Sequence, residues 1–380
     1  MADLGADVVK VEDTGRGDYV RWEPPFYGEE RNGHASVRSA LFLALNRGKR
    51  SLSLDLKSES GREVLLSLVE GHDVVLDGFR PGVLDRLGVG YEVMKEANPA
   101  IVYCAVTGYG QTGPYADRAG HDMNYLGLAG LLGLTGGADG PPVQAAGQIA
   151  DLGGGALMAA FGVMVALHER ERSGVGQMVD ISMADGALSW LALVAGKYFC
   201  DRQKPERGDG ALNGGLVCYR PYEAADGWVS CGALEPKFWA AFCEGVGRPD
   251  LIEAQLEAPG SAAHAEIAAV FRERTRAEWA RFNDAADCCI EPILDLPEAL
   301  ASELVQAREM VVSVDQPGLG PIDQLGLPIK LSRTPGDPTR PAPALGADSV
   351  EILSEAGFDA GRIEGLLDSG TVRTASVDSA

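Results

Sequence analysis

The 380-residue chain is short of positive charge, of cysteine pairs and of long apolar runs, and each shortage removes a class of function. Its 33 lysines and arginines face 55 aspartates and glutamates, a formal net charge of −22. A surface of that sign argues against nucleic acid and anionic membranes as partners. It still admits an anionic small molecule, provided a local basic patch is set against the general field. The seven cysteines (Cys104, Cys200, Cys218, Cys231, Cys243, Cys288, Cys289) are odd in number and scattered, with no C-x-x-C spacing, which removes the zinc and redox motifs. The adjacent Cys288-Cys289 reads as buried reduced thiols. No apolar run reaches the roughly 18 to 20 residues that span a bilayer. The opening Met1-Ala2-Asp3-Leu4-Gly5-Ala6-Asp7 has no basic start followed by an apolar stretch, so a cytoplasmic location is expected. No G-x-G-x-x-G follows a strand; Gly108-Tyr109-Gly110-Gln111-Thr112-Gly113 matches only loosely, and no dinucleotide site is expected.

What is present is enough apolar residue, 46%, to bury a substantial core, and the length suits two lobes. Short apolar runs at 6–12, 73–77 and 100–106 and an alternating strand pattern at 52–56 are interleaved with helical stretches near 35–45 and 58–70. Short apolar strands alternating with helices read as βαβ units around a parallel sheet. The first lobe, residues 1–200 with 315–370, is therefore expected to be Rossmann-like. Asp201 to Leu212 has the composition of an exposed linker. Residues 213–313 read as a small α+β domain, with strands paired around Ala225-Asp226-Gly227 and helices near 236–245, 262–274 and 276–285. Thr275 and Glu278 form a capping box for the last of these. The stretch 314–343, rich in Pro and Gly, reads as a long connection to a helix at 349–356, and 371–380 as a disordered tail.

The chemistry concentrates between Gly120 and Gly155. Gly120-His121-Asp122-Met123-Asn124-Tyr125-Leu126 opens the stretch, and Asp151-Leu152-Gly153-Gly154-Gly155 closes it, starting a helix expected over 152–172. An imidazole and a carboxylate, each at a chain turn, can work as acid and base. A lone histidine is more often structural, and pattern alone leaves His121 there. Asp151 has two compatible readings, a helix N-cap and a catalytic group whose ionised form the helix dipole favours. The three glycines after it leave access for a ligand. Glu235, before Pro236 at a helix start, reads on pattern alone as a first-turn charge.

These segments, with Gly174-Val175-Gly176-Gln177 and Gly232-Ala233-Leu234-Glu235-Pro236-Lys237-Phe238, resemble the alpha-methylacyl-CoA racemases of the family III CoA-transferase superfamily. The resemblance covers nearly the whole chain, including Asn46 to Lys57 and Phe79-Arg80-Pro81-Gly82-Val83-Leu84-Asp85-Arg86-Leu87-Gly88. It implies that His121 and Asp151 act as bases on opposite faces of the thioester α carbon and that Glu235 pairs with the histidine. C2 of a 2-methylacyl-CoA loses a proton, a planar enolate forms, and a proton returns to the other face, with no metal or other cofactor. Backbone N–H groups after Asp151 are candidate donors to the enolate oxygen.

The resemblance also implies where acyl-CoA is held. The nucleotide lies along Leu54, Asp55, Leu56 and Lys57, along Gly78, Phe79 and Arg80, and at Arg86. The pantetheine follows Gly120, Asp122, Met123, Asn124 and Tyr125. Lys49 and Arg50 are nearby phosphate candidates, each equally readable as a solvated charge. Two departures stand out. Family members usually carry a further strand and a Pro-Gly-Pro turn ahead of the segment that starts this chain, so a longer protein is expected. Asp13-Thr14 stands where the racemases often have a nucleotide-contacting arginine, for which Arg16 can substitute. The implied assembly is an interlocked homodimer in which Glu235 of one chain meets His121 and Asp151 of the other. The rival within the superfamily is a CoA-transferase that uses Asp151 as nucleophile. A second rival is a truncated, inactive CoA-binding protein.

Overall fold

The computed structural model describes residues 1–28, 30–31, 34–35 and 38–375. The chain is a mixed α/β protein that divides into two compact units. The first is Met1–Val106, Ala159–Asp180 and Pro297–Ala380; the second is Thr107–Met158 and Ile181–Leu296. The sequence boundary at 201–212 thus differs from the observed one, which groups residues 107–158 with 181–296.

In the first unit the strand-like runs pair as parallel strands. Val9–Glu12 runs parallel to Arg50–Leu54, and Val74–Asp77 runs parallel to Val102–Thr107. The strands form two separate three-stranded sheets, the second completed by Met178–Ser182. The helix Glu59–Glu70 starts where expected because the Ser58 hydroxyl accepts from the Gly61 N–H at 3.0 Å, satisfying one of the orphan amides of the first turn. Its Val64 and Leu68 pack with Leu52, Leu54, Leu353 and Leu366.

Several expected elements fall elsewhere. The helix anticipated near 35–45 is Ala40–Asn46, preceded by a strand at Arg38–Ser39, and residues 36 and 37 of that expectation lie outside the described residues. The segment 314–343 was expected to be featureless, yet it contains most of a hairpin, Val311–Gln316 against Gly320–Leu325. Its alternation is real, with Val314 and Ile322 buried in one cluster, and Gly318 and Gly320 turn the chain at φ 79° and 80°, values that glycine adopts freely. The tail expected to be disordered from 371 instead adds the strand Val372–Arg373, antiparallel to Arg50–Leu54. Val372 is buried there, and 376–380 lie outside the described residues. The helical stretch Ile149–Ser173, 25 residues long with a window of mean hydropathy 1.7, has the length and composition of a membrane span. Its charge-free part, Leu152 to Leu167, is shorter than such a span needs.

The second unit carries an aromatic core. Trp239, Phe242, Phe271 and Trp279 are fully buried, with Phe242 and Phe271 stacked at 5.1 Å and Tyr222 stacked on Phe271 at 4.3 Å. Both buried indoles place their N–H on a backbone carbonyl, Trp239 on Leu251 and Trp279 on Phe271, as buried tryptophans require. The hairpin Tyr219–Ala224 and Gly227–Gly232 turns at the expected Ala225-Asp226. The helix Arg276–Ala286 is closed by the Thr275/Glu278 capping box.

One buried charge holds the start of the first unit together. Glu12, 5% exposed, takes two hydrogen bonds from the Arg21 guanidinium, each at 2.7 Å, and one from the Ser51 hydroxyl at 2.8 Å. Burial alone would push its carboxyl up; the Arg21 hydrogen bonds and charge, with the Asp18 amide and Ser51, outweigh burial and hold it below the usual 4.5. A depressed carboxyl stabilises the fold above the unfolded pKa and loses that contribution as pH falls through the folded one. Glu12→Gln should therefore cost about 3 kcal/mol at pH 7. In urea titrations its deficit relative to the parent should shrink as pH drops below about 4.5; a deficit constant down to pH 3 would contradict this account.

Candidate active site

His121 and Asp151 lie in the second unit, on two helices that touch. Asp122–Leu128 is a short helix with His121 at its N-cap. The Asn124 side chain accepts from the His121 N–H at 3.0 Å, which fixes the backbone that carries the imidazole. Behind it the Tyr125 ring is buried and its hydroxyl donates to the Gly120 carbonyl at 2.5 Å. A Cβ at Gly108 would lie 2.4 Å from that ring, and one at Gly120 would lie 2.6 Å from it. Tyr109 meets Tyr125 edge-on at 5.1 Å. The two glycines therefore serve the seating of Tyr125, which holds the loop before His121 in place.

Asp151 corrects the sequence reading in position and in electrostatics. The helix starts earlier than expected, at Ile149, and its first stretch, Ile149–Leu157, is a π-helix before the regular α-helix Met158–Ser173. Asp151 is thus inside the first turn rather than at the cap. Single π-turns inside helices frequently mark functional sites. The dipole reading anticipated a favoured carboxylate, yet the Asp151 carboxyl is raised above its usual 3.8, first by burial and then by the neighbouring Asp122 charge. His121 acts in the opposite direction and lowers it, so imidazole and carboxyl lie within electrostatic reach of each other.

The glycines after Asp151 also serve a different purpose from the one read in the sequence. Gly154 and Gly155 are buried against the helix Met183–Ser189. A Cβ on Gly154 would sit 2.7 Å from the Met183 carbonyl oxygen, and one on Gly186 would sit 2.1 Å from the Gly154 carbonyl oxygen. Two backbones touch there, which only glycine permits. Gly153 faces the Trp190 ring, 3.2 Å from where a Cβ would lie. Neither Gly186 nor Trp190 stood out in the sequence. An interior helix glycine, as in Met183-Ala184-Asp185-Gly186-Ala187, was the available signal.

Glu235 sits at the N-cap of the helix Pro236–Gly245. It is exposed, and its carboxylate makes no hydrogen bond among the described residues; its charge raises the Cys289 thiol. Within one chain the structure thus associates His121 with Asp151 and leaves Glu235 unpaired with either. Met123 is half exposed, whereas Asp122 is buried.

The expected nucleotide contacts belong to the first unit. Leu54 is buried in its core and Leu56 packs against the same cluster, while Asp55 takes the Lys57 N–H at 3.0 Å. Lys57, Gly78, Phe79, Arg80 and Arg86 are exposed. The turn at Gly78 is anchored by buried Asp77, which accepts from the Phe79 N–H at 2.8 Å and the Tyr103 hydroxyl at 2.6 Å. Arg50 donates to Asp7 at 2.5 Å and Glu355 at 2.7 Å, so a phosphate there would compete with two carboxylates. Lys49 is half-buried beside Asn46, and burial pushes its ammonium down to about 8. Arg16 stacks over Trp22 at 4.5 Å.

Gly186→Ala should lower stability by about 1–3 kcal/mol, because the added methyl meets backbone rather than a movable side chain. Gly127→Ala, on the helix beside it with open space within 4 Å, should be neutral or slightly stabilising. Thermal melts of the two variants check this; equal melting points would mean that the helix contact is slack.

The comparisons with known proteins agree with this architecture. The family model described as CoA-transferase family III matches residues 1–349. The succinyl-CoA:mesaconate CoA-transferase of Haloarcula marismortui is 38% identical over 95% of this chain and 92% of its own. The alpha-methylacyl-CoA racemase of Mus musculus is 35% identical over 94% of this chain and 88% of its own. The crystal structure of a CAIB/BAIF family protein from Brucella suis superposes with a TM-score of 0.78 at 32% identity, covering 93% of both chains. The chain, an enzyme by this kinship and α/β by its fold, belongs to CoA-transferase family III.

Proposed function

We propose that the protein racemises 2-methylacyl-CoA thioesters by two-base proton transfer. One of His121 and Asp151 removes the C2 proton, an enolate forms at the thioester, and the other group, protonated, delivers a proton to the opposite face. The placement of His121 and Asp151 on two touching helices of one unit carries this reading. A two-base enzyme needs one partner able to hold a proton near neutral pH and the other free of one. An imidazole and a carboxyl whose charges act on each other offer two such groups. A nucleophilic Asp151 for CoA transfer needs no second base at His121 with Glu235, which disfavours that alternative; the kinship to a succinyl-CoA:mesaconate CoA-transferase keeps it as the second reading.

Glu235 enters as the group that orients and charges the imidazole of a second copy, as the resemblance implies. Exposed apolar side chains support a second copy: Phe161, Met164 and Val165 in the first unit, and Leu193 and Phe199 in the second. Such surface is uncommon on a monomer. The acyl-CoA nucleotide is assigned to exposed Lys57, Phe79, Arg80 and Arg86.

The test is to incubate one enantiomer of a 2-methylacyl-CoA with the protein in deuterated water without acceptor acid, using the species that sedimentation identifies as two chains. Loss of optical purity with deuterium at C2 is expected, and His121→Ala and Asp151→Ala should each lower the epimerisation rate by about 10²- to 10⁴-fold. Transfer of CoA to added succinate or mesaconate without C2 exchange would overturn the racemase reading in favour of a transferase.

A further inference from the structure

We propose that the Asp122 side chain is a positioning residue for the reaction: one carboxylate oxygen ties the backbone at Asp151 to the helix start that carries His121. The inference rests on the reading of those two groups as the reacting pair. Asp122 is 6% exposed, and its Oδ1 accepts from the Ala150 N–H at 2.7 Å and from the Asp151 N–H at 3.0 Å. Two of the four amides that a helix start leaves without an intrahelical partner are thereby satisfied by a residue far away in sequence. The observed N-cap of the π-helix, Gln148, makes no side-chain cap bond, so Asp122 acts as the cap from outside the helix.

The consequence for chemistry follows from adjacency. His121 and Asp122 are consecutive, so the peptide that carries the imidazole also carries the anchor for the Asp151 backbone. Any drift of one helix against the other would change the spacing of imidazole and carboxyl, and a displacement of about 1 Å can cost on the order of 100-fold in rate. Asp122 also acts by charge, being one of the causes that raise the Asp151 carboxyl. The groups facing Asp151 are few. From the His121 helix they are His121 and Asp122; the helix Met183–Ser189 adds only Asp185, which is exposed and is not among the charges acting on Asp151.

Two substitutions separate anchoring from charge. Asp122→Asn keeps an acceptor oxygen of the same reach and removes the charge; Asp122→Ala removes both. C2 deuterium exchange of a 2-methylacyl-CoA, resolved into kcat and KM across pH, is measured for the parent and both variants, with amide hydrogen exchange at Ala150 and Asp151 as a readout independent of activity. The alanine variant should lose about 100-fold in kcat with KM within about threefold, and both amides should lose protection. The asparagine variant should recover kcat to within about tenfold of the parent and keep the amides protected. Its pH profile should move to lower pH on the limb that Asp151 governs, a shift that a merely structural role would not produce. If the parent exchanges C2 but both variants match it in kcat and amide protection, the inference falls while the racemase reading stands. If the parent instead transfers CoA, the racemase reading falls and the same variants judge the anchor on the transfer rate. A parent inactive in both assays overturns both.

Discussion

The contact between the Gly154 and Gly186 backbones is the constraint on which the site depends. Because neither residue has a side chain, the π-helix can lie directly on Met183–Ser189, and Asp151, in the same π-helix, is half-buried. That burial is the largest cause of its raised carboxyl. The Asp122 side chain holds the same backbone through the Ala150 and Asp151 amides, so two separate contacts within one unit bear on this helix start.

The surrounding loop follows the same logic. Tyr125 fills the space that Gly108 and Gly120 leave open and holds Gly120 by its hydroxyl. The Asn124 side chain then secures the His121 amide. Residues that look like ligand contacts in a linear motif thus include some whose work is internal. Within the Gly120–Tyr125 stretch His121, Met123 and Asn124 are exposed.

Much of this was legible in the sequence, for physical reasons that differ by element. Val74–Asp77 and Val102–Thr107 announced themselves as valine-rich runs, and Arg276–Ala286 as a capping box, because local propensity and tertiary structure agree there. The hairpin around Pro317-Gly318 was missed because turn residues dominated the composition of its segment. The C-terminal strand at Val372 was missed because it is two residues long and exists only by pairing with a distant partner. At the site, the sequence pointed to the Gly120–Gly155 stretch, but the electrostatics of Asp151 were not visible in it. Reading it as a cap predicted a favoured carboxylate, whereas burial and Asp122, both products of packing, act the other way.

The central claim is that His121 and Asp151 serve opposite faces of the α carbon, and stereospecific exchange in the single variants tests it most directly. In deuterated water, His121→Ala should exchange C2 hydrogen of one enantiomer with retention and leave the other untouched, and Asp151→Ala should show the opposite preference. Equal exchange of both enantiomers in either variant, or loss of exchange from both enantiomers in both variants, would contradict a two-base site.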